Sequence, residues 1–200
     1  DHDRPDVLVN CAAWTAAQIE RLLGASQGRA LCLFASYRAL NEVCALLDGT
    51  LTYTMLRQGQ APRERLLDEF RSDVSSVLFA TTSFWQGVDV PGEALSLVVI
   101  DRVPFAPPDD PLLSARCEAA ERDGASGFAT IQLPRAAMLL KQGAGRLLRS
   151  EDDRGVIAIL DRRVSQRSYG PYLLASLPDL TPVQSTEAVA TFLAGHANVE

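Results

Sequence analysis

The sequence predicts an α/β fold, a mostly parallel β-sheet with helices on both faces. Three observations point to it. Residues 29–35, 77–80, 97–100 and 155–160 form short runs that are apolar at almost every position, as strands buried on both faces require. The segments between them carry apolar residues three and four apart, the period of a helix with one buried side. The two kinds of segment alternate along the chain, the order expected of helices layered on a parallel sheet.

Taken in order, Val7-Leu8-Val9 reads as a first strand. Thr15-x-x-Gln18 has the spacing of a capping box and opens a helix running through Leu22 and Leu23. The strand at residues 29–35 is followed by Ser36 as N-cap and by a helix whose buried face is Leu40, Val43, Cys44 and Leu47. A short strand at about residues 51–55 leads to a helix entered at Pro62 and carrying Leu66, Leu67 and Phe70. The strands at 77–80 and 97–100 are separated by a loop rich in Gly and Pro. Residues 109–122 read as a helix, interrupted at Gly124 and Gly127, and Pro134 begins another. The strand at 155–160 and two closing helices, 169–177 and 187–193, complete the pattern. With no repeat and no linker-like stretch, residues 1–200 are expected to form a single domain with its core at about residues 28–178.

Composition narrows the function. No apolar run approaches the ~20 residues of a membrane span, so a cytoplasmic protein without a membrane partner is expected. The chain begins Asp1-His2 without Met, which we read as a piece of a longer protein. Cys11, Cys32, Cys44 and Cys117 form no C-x-x-C pair and no metal site is expected of them. A net charge of −6 argues against tight autonomous binding to nucleic acid, which depends on neutralising phosphates. Lys141 is the only lysine and is followed by Gln142, so the Gly-Lys-Ser/Thr of a phosphate-binding P-loop is absent.

The segment richest in chemistry is Lys141-Gln142-Gly143-Ala144-Gly145-Arg146-Leu147-Leu148-Arg149. On a helix Gln142, Arg146 and Arg149, at i, i+4 and i+7, share one face with Arg135, while Ala137, Leu140, Ala144, Leu147 and Leu148 form the anchoring side. Gly143 and Gly145 each cost such a helix roughly 1 kcal/mol relative to Ala, as if something approached the backbone there. Charge alone would also fit an amphipathic helix with a solvated Arg-rich face.

Gln142-x-x-Gly145-Arg146-x-x-Arg149 resembles motif VI of superfamily 2 helicases. Thr81-Thr82-Ser83-Phe84-Trp85-Gln86-Gly87-Val88-Asp89 resembles motif V, with Gln86 where the DinG-like subgroup usually has Glu. Phe34-Ala35-Ser36-Tyr37 resembles motif IV, with Ala35 in place of Thr. Asp101-Arg102-Val103-Pro104-Phe105 and Tyr169-Gly170 are similar to segments typical of DinG and YoaA proteins. These stand in family order from about Gly28 to Pro178. The chain therefore resembles the C-terminal motor domain (helicase domain 2) of a DinG/YoaA-like, XPD-related superfamily 2 DNA helicase.

The resemblance implies a RecA-like (P-loop NTPase-type) fold. It makes Arg146 and Arg149 arginine fingers on the γ-phosphate of ATP, groups worth 10³–10⁵ in rate in related NTPases. Gln142, Gly87 and Asp89 would lie at the nucleotide, and Ser36, Tyr37, Thr81 and Thr82 at the DNA backbone. ATP and Mg2+ would be held mainly by a first RecA-like domain, which also carries Walker A and, in this family, an iron–sulfur cluster; none of these is expected in this stretch. The isolated chain should then be inactive. The whole protein would be a helicase or translocase on single-stranded or forked DNA in repair or replication. A non-catalytic helicase-like docking module is the alternative. A Rossmann-type enzyme is disfavoured, since no G-x-G-x-x-G follows the first strand.

Overall fold

The computed structural model describes residues 12–81, 84, 95–107, 109–145, 147, 155–178, 180–183 and 185–194. The elements, in order, are α1 (Ala12–Ser26), β1 (Ala30–Phe34), α2 (Tyr37–Leu47), β2 (Met55–Arg57), α3 (Arg63–Ser72), β3 (Val77–Thr81), β4 (Leu97–Ile100) and α4 (Pro111–Arg122). A π-helical turn (Phe128–Gln132) then runs into α5 (Leu133–Ala144), followed by β5 (Val156–Ile159), α6 (Arg163–Gln166), α7 (Gly170–Ala175) and α8 (Thr186–Ala194).

Every pairing in the five-stranded sheet is parallel, in the order β2-β3-β1-β4-β5. Because side chains alternate along a strand, each strand feeds two cores. Leu31, Leu33, Leu78, Ala80, Val98 and Ile100 point to one layer, where Leu66, Leu67 and Phe70 of α3, Leu140 of α5 and Leu173 of α7 cover them. Cys32, Phe34, Val77, Phe79, Leu97 and Val99 point to the other, under Ile19 and Leu23 of α1, Leu40 and Val43 of α2, and Val189 and Leu193 of α8. Burial on both sides explains why the strands read as continuous apolar runs. The stacked rings of Phe34 and Phe79, 6.3 Å apart, join β1 and β3 on the second face. The expected α/β architecture is the one observed.

Differences in detail have local causes. Thr15 lies inside α1, which already runs from Ala12, so the Thr15–Gln18 spacing is not a capping box. The alanines at 12, 13, 16 and 17 favour helix too strongly for it to start at Thr15. β2 spans Met55–Arg57 rather than 51–55, because pairing with β3 sets Met55 opposite Val77. The helix expected from residue 109 begins at Pro111, with Asp110 accepting from the N–H groups of Leu112 and Leu113. Ahead of Pro134 the chain makes a π-turn in which Leu133 N–H reaches back to Phe128 C=O. Pro134 has no N–H to extend that pattern. β5 is half-buried along its length rather than fully inside. Ser36 caps α2 as expected, its side chain accepting from Ala39 N–H at 3.2 Å. The strand expected at Val7–Val9 lies outside the described residues.

The link from α1 to β1 is sterically demanding. Gln27, Gly28 and Arg29 all have positive φ (56°, 77° and 44°). A Cβ on Gly28 would stand 1.8 Å from the carbonyl oxygen of Ser75. Gly28→Ala is therefore expected to destabilise this chain by about 2 kcal/mol or more, read as a lowered urea midpoint at unchanged m-value; an unchanged midpoint would contradict the packing.

Candidate functional site

In a parallel sheet all strands exit at one edge, and here the exits of β1, β2 and β3 gather a polar cluster. Tyr37, at the start of α2, is half-exposed. Gln58 follows β2, and its backbone N–H is fixed by Phe79 C=O at 2.9 Å. Its side-chain Oε1 accepts from both the N–H (2.7 Å) and the hydroxyl (3.0 Å) of Thr81, the last residue of β3. Its Nε2 donates to the phenol oxygen of Tyr37. Three segments far apart in sequence are thus joined through one amide. Thr81 itself is buried at 5% exposure. Next to the cluster, Arg57 donates to Asn41 of α2.

Two buried carboxylates organise the exits of β4 and β5. Asp101 accepts from Ala35 N–H at 2.8 Å, tying the exit of β1 to that of β4. These neighbouring strands continue to opposite faces, β1 into α2 and β4 towards α5, which makes this the switch point of the sheet. Burial raises the Asp101 carboxyl to about 6 against the opposing pull of Ala35 N–H and the Arg102 charge. At Asp161 burial acts in the same upward sense, yet hydrogen bonds from Arg163 and from Val103 N–H (2.9 Å) hold that carboxyl below the usual range. The Arg163 guanidinium, paired with Asp161 at 2.6 Å, lies 5.3 Å from the centre of the Phe105 ring. Phe105, Phe128 and Tyr169 close a triangle with ring centres 5.3–5.7 Å apart. The Asp101–Phe105 and Tyr169–Gly170 segments, unrelated by sequence distance, therefore meet.

The end of α5 lies at the opposite edge. Leu147 packs where a Cβ on Gly155 would be, at 2.6 Å, and the same position is 2.8 Å from Ser96 C=O. Gly155 and Ser96 immediately precede β5 and β4. The expected anchoring side of the helix is buried at Ala137, Leu140, Ala144 and Leu147, and Arg135 and Gln142 are exposed. The α-helix nevertheless stops at Ala144 on the Gly145 cap (φ −67°, ψ −2°). Gly145 is thus a helix terminator and not a mid-helix residue. Arg146, Leu148 and Arg149 lie outside the described residues, as do Thr82, Trp85, Gln86, Gly87 and Asp89. Of the residues expected at a site, the structure gathers Ser36, Tyr37 and Thr81 at the strand exits. Gln142 stands on a different element, in the last turn of α5.

Sequence reasoning missed Gln58, Asp101 and Asp161 as organising residues. An Asp directly after an apolar strand, at 101 and again at 161, was the available signal for two of them. Gln58 carried none.

The family model for the helicase C-terminal domain matches residues 19–180. This chain belongs to that family. It is 49% identical over 161 residues to the ATP-dependent helicase DinG of Mycobacterium tuberculosis, a match covering 80% of this chain and 24% of the relative. It is 43% identical over 179 residues to the ATP-dependent DNA helicase YoaA of Escherichia coli, covering 90% of this chain and 28% of that protein. The chain thus spans about a quarter of the length of these relatives. A solved XPD helicase structure superposes with a TM-score of 0.66 at 19% identity, covering 88% of this chain and 32% of the other, and establishes the RecA-like fold. The helicase C-terminal domain here is DinG/YoaA-like in sequence and XPD-like in fold. Among the described residues no helix is long and apolar enough to cross a membrane.

The raised Asp101 carboxyl gives this helicase C-terminal domain a signature in pH. The folded state keeps a proton that the unfolded chain releases, so this group's contribution to stability falls as pH rises from about 4 to about 6, by up to ~3 kcal/mol. Asp101→Asn should retain the acceptor for Ala35 N–H and lose that fall. Denaturant midpoints of the two proteins measured across the interval would converge at low pH, and parallel curves would rule the assignment out.

Proposed function

We propose that this chain, as a single domain over residues 1–200 with its core at about 28–178, is the second motor domain of an ATP-dependent DNA helicase or translocase. The protein would be cytoplasmic and act in DNA repair or replication. Its substrate would be single-stranded or forked DNA, and its working partner a first RecA-like domain of the same protein that holds ATP and Mg2+. The observation that supports the reading is the polar cluster of Tyr37, Gln58 and Thr81 at the strand exits of a domain of this family. Ser36, Tyr37, Thr81 and Thr82 take the DNA backbone through contacts that position a strand without reading its sequence. Gln142, Gly87 and Asp89 take the nucleotide.

Phosphoryl transfer requires positive charge against the equatorial oxygens of the transferred group. Arg146 and Arg149 supply it from across the interdomain cleft, so hydrolysis waits on closure of that cleft. Gln142, exposed on the last turn of α5, supplies an amide beside them. Since Lys141 is the only lysine and lies outside any P-loop sequence, this chain by itself should not turn over ATP. The family's iron–sulfur cluster is assigned to the first domain and not to the described cysteines, since Cys32, Cys44 and Cys117 are buried on separate elements.

In the full-length protein, Arg146→Ala should lower DNA-stimulated ATP turnover by about 10³-fold or more while leaving ATP affinity within a few-fold. Turnover near that of the unsubstituted protein would remove the finger assignment and favour a helicase-like docking module.

A further inference from the structure

We propose that Gln58 is the positioning residue of the DNA-facing edge, fixing the direction in which the Tyr37 hydroxyl donates. The inference rests on the reading of that edge given above. An amide has a fixed polarity, with a carbonyl that only accepts and an NH₂ that only donates. At Gln58 the carbonyl end is committed twice over to Thr81, to its N–H at 2.7 Å and its hydroxyl at 3.0 Å. The rotation of the amide is thereby decided, and the NH₂ is left to face Tyr37. The phenol oxygen must then be the acceptor of the Gln58–Tyr37 bond. Its own hydrogen is directed away from Gln58, available to a phosphate oxygen of the strand. The run from Thr81 through Gln58 to Tyr37 is a head-to-tail series of donors, each bond polarising the next.

This explains how Thr81, buried at 5% exposure, serves a backbone contact it does not present to solvent. It also explains why the segment after the short strand β2 is held so closely, with the Gln58 backbone N–H bonded to Phe79 C=O at 2.9 Å.

Three substitutions in the full-length protein test the idea, with single-stranded oligothymidine as probe and ATPase stimulation as readout. Tyr37→Phe removes the outward donor. Gln58→Ala removes the device that orients it. Gln58→Glu keeps both acceptor contacts to Thr81 but offers Tyr37 a carboxylate, so the phenol turns inward and donates to it. Each should raise the half-stimulating DNA concentration about five- to tenfold, with KM for ATP and the rate at saturating DNA retained. Combining Gln58→Ala with Tyr37→Phe should cost no more than either alone. If Tyr37→Phe weakens DNA binding and the Gln58 variants do not, the orienting role is overturned while the DNA edge stands. If Tyr37→Phe has no effect, that edge assignment fails and the inference with it. If the Gln58 variants instead lower the melting temperature and depress saturated turnover without shifting DNA affinity, Gln58 is a structural residue only and the proposal is wrong.

Discussion

The constraint on which the rest depends is that all five strands run the same way. A parallel sheet must be buried on both faces, so its faces are spent on packing and only its two edges remain for chemistry. The exits of the strands and their entrances are then separate surfaces, about a strand's length apart. Here the exits hold Tyr37, Gln58, Thr81, Asp101 and Asp161, and the entrances lie beside the end of α5. A domain built this way can meet two different partners at once without either occupying the other's ground.

The exits are held together by side-chain bonds to the backbone of neighbouring loops. Asp101 takes Ala35 N–H, Asp161 takes Val103 N–H, and Gln58 takes Thr81 N–H. Each ties the exit of one strand to that of another. The two carboxylates reach this end differently. Burial dominates at Asp101 and raises its pKa, whereas Arg163 pairs with Asp161 and holds its carboxyl below the usual range. An exit loop braced in this way has few conformations to lose when something docks on it, which lowers the entropy cost of binding.

Much of the fold was legible in the sequence because double-sided burial leaves a plain mark. The runs at 29–35, 77–80 and 97–100 have almost no polar positions, and fully buried strands lie there, at Ala30–Phe34, Val77–Thr81 and Leu97–Ile100. The helical faces of α2 and α3 were legible for the same reason, as were the buried positions of α5. What failed was local. Thr15-x-x-Gln18 has the letters of a cap, but the preceding alanines already carry the helix past it. The end of α5 is not legible from spacing, because a glycine within a helical pattern can equally be its terminator, and Gly145 is where this helix stops. At the strand exits, the positions of Ser36, Tyr37 and Thr81 were legible through short motifs, each adjoining its strand in sequence. Gln58 was not, since its role comes from three segments meeting in space, which no spacing rule records.

One feature of the sheet bears on how the molecule behaves among its own copies. β2, an outermost strand among the described residues, is only three residues long and ends on Arg57. A ladder that short offers an incoming chain few backbone groups to pair with, and a guanidinium at its end discourages stacking of like edges. The protein can thus keep a sheet of almost purely aliphatic and aromatic strands without presenting a template on that flank for fibrous self-association.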